Sequence, residues 1–571
     1  MTDPKAQDWD QTVDLLIVGS GAGAMMAALA AYDRGGDVLL IEKTDQYGGS
    51  SAMSGGSLWV PNNHLMEGTG IDDSPEEAMQ YLREITRGQI SEERLQTYVD
   101  TSPEMVKYAS DHTQLQLEAQ PEYADYYSDV PGAKPGARSL EAARYDGRLL
   151  GNEEFLRMRP EHIQCLIMKR MSMTAREARV MFCRSPGWMR LTFKLMIMYY
   201  LDIRGRTLGK RDRSLTMGNG LIGALRRSLM DRGIPLWLET PARKLVVEDD
   251  RVVGAEVEQQ GRSLRIRANR GVILAAGGFE GSQTMREKYL PNPTRAEWTV
   301  ANPNNTGDAI NMGLELGAGI EYMDDAWWGP TTCVPGEENA RMLVIEKSLP
   351  GSIIVNKRGE RIVNEAAPYI DIVKSMYTRN TPEAPSVPAY MVFDATYRKS
   401  YPFGPFLQSS QQPDSMISKQ LLGSYLKKAD TLDGLAQQLG IDAEGLKATA
   451  AKMGDYARSG KDLEFGRGET IFDRYYGDEN VKPNSCLGPL EAAPFYGIEV
   501  CAGELGTKGG LKTDARARVL KESGEVIPGL YAVGNCSSPV MGPTYAGAGA
   551  TLGPAMTFGY IAAGDAIVKN E

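Results

Sequence analysis

Residues 13–43 read VDLLIVGSGAGAMMAALAAYDRGGDVLLIEK, and this stretch decides the fold. The apolar run Leu15–Val18 predicts a buried strand. It leads into Gly19-Ser-Gly21-Ala-Gly23-Ala24 and an alanine-rich helix, then a second strand, Val38–Ile41, followed by Glu42 and Lys43. Glycines in such a turn let the backbone bend tightly and approach a pyrophosphate, which the positive end of the helix attracts. An acid at the end of the second strand stands where a ribose hydroxyl can donate to it. A glycine-rich loop alone is a weak sign, but two strands, a helix and an acid at the right distances make a strong one. The expectation is a dinucleotide-binding βαβ unit.

Three later stretches return to the same fold. Residues 47–57, YGGSSAMSGGS, are small enough to wrap a bulky planar ligand. Gly271–Glu280, GVILAAGGFE, is an apolar strand running into paired glycines, and Pro528–Asn535, PGLYAVGN, is another strand ending in glycine. Just beyond it, residues 541–560 read MGPTYAGAGATLGPAMTFGY, with Tyr545 ahead of Gly547 and Gly549 and a helix predicted from Ala550 to Tyr560. Alternate glycines before a helix expose backbone N–H groups at its positive end. A tyrosine hydroxyl beside them could join in gripping one oxygen atom, an oxyanion site for chemistry next to a carbonyl. The alternative is a helix start with a core tyrosine.

Composition narrows the function. A net charge of -11 and a pI near 5.2 exclude nucleic acid as a partner, because neutralising phosphates takes a basic surface. The six cysteines are scattered without metal-ligand spacing, which fits a reducing, cytoplasmic setting. With three histidines no metal site is expected. The polar, acidic N-terminus is not a signal peptide, and no uncharged apolar run reaches the roughly 18 residues of a membrane span.

On these motifs the chain resembles the FAD-dependent flavoproteins of the fumarate reductase and succinate dehydrogenase type over nearly its whole length. Within them it looks most like the 3-ketosteroid Δ1-dehydrogenases. The resemblance implies an α/β fold with a Rossmann-like FAD-binding domain (residues 1–325), an inserted α+β substrate domain (326–500) and a C-terminal return to the first domain (501–571). It implies FAD contacts at Gly19, Gly21, Gly23, Ala24, Glu42, Lys43, Gly49, Ser50, Ser51, Ser54, Gly55, Gly56, Val246, Ala276, Gly277, Gly534, Asn535, Gly549, Thr551 and Leu552. The stretch YGGSSAMSGG lacks the histidine that carries covalent flavin in succinate dehydrogenases, so non-covalent FAD is expected. In fumarate reductases an arginine that clamps dicarboxylates precedes the VN-x-x-G-x-R-x-x-NE motif. Here EKSLPGS (346–352) precedes IIVNKRGERIVNE, and that position reads as Leu or Pro. Succinate chemistry needs cationic, bidentate grips and is not expected.

The resemblance to the ketosteroid enzymes rests on fewer residues. Tyr545 and Gly549 match the pair that binds the steroid 3-keto oxygen. Tyr369, in NEAAPYID, matches the tyrosine that removes the C2 proton, and Tyr126, in YADYYSDVPGA, the tyrosine that assists it. Tyr123 and Tyr127 lie close enough to leave that register open. The implied reaction converts 3-oxo-4-ene steroids to 1,4-dienes, with hydride passing from C1 to flavin N5. Tyrosine normally titrates near pH 10, so as a base Tyr369 needs a lowered pKa or a relay through Tyr126. The rival within the superfamily is a 3-ketosteroid Δ4-(5α)-dehydrogenase, with a similar keto site and a differently placed base.

Two further features carry open alternatives. Trp327, Trp328, Phe403 and Phe406 either line an apolar sterol channel or belong to the core, whereas 432–458 alternates as amphipathic helices. Residues 166–213, LIMKRMSMTAREARVMFCRSPGWMRLTFKLMIMYYLDIRGRTLGKRDR, mix large apolar side chains with a dense set of Lys and Arg. Such a segment either lies on the inner face of the cytoplasmic membrane, through 180–205, or packs as a helical hairpin on its own domain or at a dimer interface. A quinone is the expected electron acceptor.

Overall fold

The computed structural model describes residues 9–567. Strand β1 (Gln11–Val18), helix α1 (Ala22–Asp33) and strand β2 (Val38–Ile41) form the expected βαβ unit. β1 pairs in parallel with β2 on one side and with Arg262–Leu274 on the other, and Leu236–Trp237 and Val526–Ala532 extend the parallel sheet at either side. Every residue of β2 is buried, as a parallel strand covered on both faces requires. The 13-residue strand Arg262–Leu274 serves two sets of neighbours. Its first half pairs antiparallel with Arg251–Gln259, which turns back onto Ala242–Glu248, and its second half enters the parallel sheet.

The alanines of α1 let it pack against the closing helix, Leu552–Ile567, with Gly23 facing Ala555. That helix starts two residues later than its glycine run predicts and continues past Tyr560, because its buried face, from Leu552 through Met556 and Ala563 to Ile567, stays apolar to the end. Packing, which sequence propensity does not see, sets its length.

A second sheet carries the inserted region. Ala326–Thr332 pairs with Phe495–Thr507, which pairs with Ala389–Phe393, which pairs with Ser352–Val355, all antiparallel. Helices Leu432–Leu439 and Ala443–Ser459, capped by Thr431 and Asp442, close a separate small core of Leu435, Leu446 and Met453 against Ile353 and Val392. The motif VNKRGERIVNE serves this region as a buried lock. Arg361 reaches Glu365 at 2.7 Å and Asp462 at 2.8 Å, and Arg467 reaches Glu365 at 3.1 Å. Trp328, Phe403 and Phe406 are core residues and not channel lining: Trp328 donates to Asp325, Phe403 packs on Phe393, and Phe406 packs on Tyr425.

Candidate active site and cofactor cleft

A long cleft is lined by the ends of β1 and β2 and by residues of the inserted region. Its nucleotide end is the turn after β1. Gly19 sits at φ +118°, and a Cβ there would fall 2.3 Å from Ala275 O, so the chain needs glycine where the two parallel strands end together. The Glu42 carboxylate accepts from Ser20 Oγ at 2.5 Å and from Thr44 N at 3.0 Å, which leaves acceptor capacity for a diol. The cleft continues along Gly49–Gly56 to Ala276, Gly277, Gly534, Asn535 and the turn Gly549–Leu552. A backbone cradle, an acid at a strand end and two further glycine turns fit a dinucleotide carrying a flat ring system.

Among the expected cofactor residues, only Val246 lies off this lining. Its strand enters the cleft at Ala242, and four residues further on, about 13 Å at strand rise, Val246 pairs with Gly254 instead. Lys43 lines the cleft, but its ammonium is committed to Asp308 Oδ2 at 2.6 Å and Thr306 Oγ1 at 2.9 Å. The sequence reading also missed a loop. Asn302 N and Asn305 Nδ2 both donate to Ser50 Oγ, at 3.0 and 3.1 Å, and Asn305 also donates to Glu280 at 2.7 Å. The available signal was the polar cluster NPNNTGD (302–308) just before an apolar-periodic helix, Asp308–Glu315.

At the other end of the cleft three tyrosines meet. Tyr126 Oη donates to Tyr369 Oη at 2.8 Å, deep in the protein. The Tyr545 ring lies 5.3 Å from that of Tyr126 and 5.4 Å from that of Tyr369. Tyr369 is the first residue of helix Tyr369–Thr378, started by Pro368; Tyr126 comes from a loop, and Tyr545 from the segment before the closing helix. Tyr123 lines the same cleft, its ring 6.2 Å from that of Tyr126, and its Oη pairs with Tyr476 Oη at 2.8 Å, whereas Tyr127 Oη donates to Asp371 at 3.3 Å. Gly549 sits at φ +95°, where a Cβ would lie 2.4 Å from the Ser57 carbonyl, and its N–H has no acceptor among the described residues.

Burial, reinforced by the surrounding tyrosines, pushes Tyr126 and Tyr369 well above the ordinary tyrosine range. Tyr545 is also raised by burial, with hydrogen bonding to Tyr369 and Thr551 pulling the other way. Burial thus favours the neutral hydroxyl form of all three. No arginine lines the cleft among the described residues. Lys347, in the segment that precedes the VNKRGERIVNE motif, is fully buried and spends its donors on Glu365 O, Ala367 O and Ser348 Oγ. The lining also includes the apolar side chains of Met173, Ala178, Phe182, Met342 and Ile345, together with His162, Gln164 and Glu346.

Met173, Ala178 and Phe182 belong to the basic, apolar insert. Helix Ala175–Phe182 is fixed by a capping box between Thr174 and Glu177. The next helix, Trp188–Leu201, holds only Leu195 and Tyr199 buried and leaves Met189, Phe193 and Leu201 at 68, 64 and 72 % exposure. Arg190, Lys194 and Arg204 are exposed beside them, whereas Arg179, Arg211 and Arg213 pair with Glu479, Glu161 and Asp202. No helix among the described residues is long and apolar enough to cross a membrane.

Fold and cleft together define a flavoprotein oxidoreductase: the family model described as FAD binding domain matches residues 14–552, and FAD is the cofactor. The chain is 41% identical over 569 residues to the 3-oxosteroid 1-dehydrogenase of Mycolicibacterium smegmatis, covering 97% of each protein. It is 38% identical to that of Comamonas testosteroni, covering 98% of this chain and 97% of the relative. The crystal structure of 3-ketosteroid delta1-dehydrogenase from Sterolibacterium denitrificans in complex with 1,4-androstadiene-3,17-dione matches with a TM-score of 0.94 and 47% identity, over 98% of this chain and 99% of that one. The chain belongs to the 3-oxosteroid 1-dehydrogenase family of FAD-binding flavoproteins.

Proposed function

We propose that this chain removes the C1 and C2 hydrogens of 3-ketosteroids, converting 3-oxo-4-ene steroids to 1,4-dienes. The observation that carries the reading is the buried Tyr126–Tyr369–Tyr545 cluster beside Gly549 at the end of the FAD cleft. A proton next to a ketone becomes acidic enough to remove when the carbonyl oxygen is stabilised as charge develops on it. The Tyr545 hydroxyl and the Gly549 N–H are the two donors, and losing one donor of this kind typically costs about 2.7–4 kcal/mol of barrier. The Tyr369–Tyr126 pair first loses one proton to solvent, and the Tyr369 oxygen, held by the hydroxyl that Tyr126 donates to it, then takes the C2 proton. When bound, FAD supplies the two-electron acceptor for the hydrogen leaving C1. The apolar wall from Met173 to Phe182 holds the steroid and excludes water, which strengthens the polar contacts at the ketone.

The test is anaerobic: a 4-en-3-one steroid bleaches the yellow protein, and NMR locates the new double bond. A 1,2 double bond supports this reading; a 4,5 double bond formed from a saturated 3-ketosteroid, with the 4-en-3-one left untouched, favours the Δ4-(5α) alternative.

The exposed ridge Met189–Phe193–Leu201, flanked by Arg190, Lys194 and Arg204, is read as the contact with an anionic membrane surface. Its helix begins at Trp188, a short turn after Phe182 of the cleft lining, so an apolar substrate would enter from lipid and a membrane quinone would take the electrons. Steroid-dependent reduction of a quinone in anionic vesicles, absent when the quinone is omitted, checks both points.

A further inference from the structure

Two lysines outside the substrate cleft grip the backbone immediately before Tyr545. Lys374 donates to Pro543 O, and Lys508 donates to Thr544 O at 3.1 Å. Both share one carboxylate oxygen, Asp325 Oδ2, at 3.1 and 3.2 Å. The other Asp325 oxygen accepts from Trp328 Nε1 at 2.6 Å and Ala326 N at 2.9 Å. Lys508 is fully buried, and its ammonium stands 4.6 Å from the centre of the Trp327 ring, which meets Tyr545 edge-on at 5.1 Å. On the far side of Tyr545, Ala546 O accepts from Tyr81 Oη at 2.7 Å and from Tyr126 N at 3.1 Å.

Buried ions are expensive, and apolar packing generally stabilises at least as well. What this arrangement adds is definition. Carbonyls at 543, 544 and 546 are each fixed by a donor from a different part of the chain, so the one residue between them has little freedom to shift. Lys374 lies in the helix that begins at Tyr369, and the Ala546 carbonyl holds the backbone of Tyr126. The three tyrosines are thereby tied to one another through the main chain as well as through their hydroxyls.

We propose that Lys374, Asp325 and Lys508 form an electrostatic clamp that positions Tyr545 against Tyr369 and Tyr126 without touching the substrate. The proposal rests on the reading of Tyr545 as a ligand of the keto oxygen. A displacement of about 1 Å in a reacting group costs on the order of 100-fold in rate. In the FAD-loaded enzyme with 4-androstene-3,17-dione, K508M is expected to lower kcat about 10- to 100-fold while KM changes less than fivefold, because the apolar walls that hold the steroid are intact. FAD content should equal that of the parent.

Lys374 is one-third exposed, so K374M and K374R keep the test decisive if K508M does not fold. K374M should lose at least fivefold in kcat, and K374R, which still carries donors to Pro543 O, should recover most of it. A purely structural lysine would show no such rescue and would move KM, FAD content and thermal midpoint together. If K508M and K374M both turn over within twofold of the parent while Y545F loses 100-fold, the clamp is overturned and the keto-site reading stands. If Y545F itself retains parental kcat, the keto-site reading fails, and the clamp fails with it.

Discussion

Two aromatic, apolar regions of this protein are built in opposite ways. Tyr126, Tyr369 and Tyr545 are 3, 8 and 4 % exposed, and hydroxyls, ring edges and main-chain bonds hold them together. Met189, Phe193 and Leu201 stand out in water on a helix that buries only two of its side chains. Burial makes the tyrosines neutral at rest and mutually dependent, a state in which small shifts in position or protonation have large consequences. The exposed ridge is nearly independent of the fold, and its cations lack carboxylate partners among the described residues, where those at the base of the insert have them. A large effect of substitution is therefore expected in the first region and a graded one in the second.

The sharpest way to break the comparison is at Tyr369. Y369F is expected to lose about 1,000-fold in kcat with FAD retained, in the middle of the range that a positioned acid–base group supplies. Because burial holds Tyr369 and Tyr126 protonated, log(kcat/KM) of the parent should climb between pH 6 and 9, and the residual activity of Y369F should not. Parental activity in Y369F, or a flat parental profile, removes Tyr369 as the base. Next comes G549A, where the added methyl meets the Ser57 carbonyl at 2.4 Å and the φ of +95° disfavours any side chain. A loss of at least 100-fold in kcat/KM is expected in steady-state assays; a loss below fivefold would mean that the turn is not the keto site.

The other region gives smaller effects. F193S combined with L201S should weaken co-sedimentation with anionic vesicles about tenfold while kcat on detergent-dispersed steroid stays within twofold. R190Q and K194Q should each cost about 1 kcal/mol of vesicle binding at low salt. Unchanged binding in all of these leaves the ridge as a contact between protein surfaces.

The smallest effect is expected at Glu280, next to the FAD cleft, whose carboxyl burial pushes up to about 7. In the unfolded chain it titrates near 4.3, so between these values the native state binds more protons. Its contribution to stability is complete below about pH 4.3 and is lost as pH rises through 7. E280Q, locked in the neutral form, should flatten the thermal midpoint between pH 5 and 7; an unaltered slope means that another group is responsible.

The legibility of the site follows the range of the interactions. Gly19, Gly21 and Glu42 were readable because a turn, a helix start and a strand end impose their requirements within a few residues. Asn302 and Asn305 were not, since their role depends on Ser50, about 250 positions away, and a polar loop carries no mark of what it faces. Trp328, Phe403 and Phe406 show the converse: an aromatic side chain suits a channel and a core equally in composition, and only the neighbours decide.

The sequence by itself determined the dinucleotide-binding unit and the returns of the chain to it, because each is written in local spacing. Tertiary structure decided which of the 26 tyrosines meet. Tyr126 and Tyr369 are 243 positions apart, and Tyr123 and Tyr127 offer the same side chain nearby, so only packing gives Tyr126 to Tyr369, Tyr123 to Tyr476 and Tyr127 to Asp371. It also decided that Lys374 and Lys508, unremarkable as sequence, converge on the two carbonyls before Tyr545. Buried charges find partners by proximity in the fold, and proximity of that range is not encoded in any short stretch of chain.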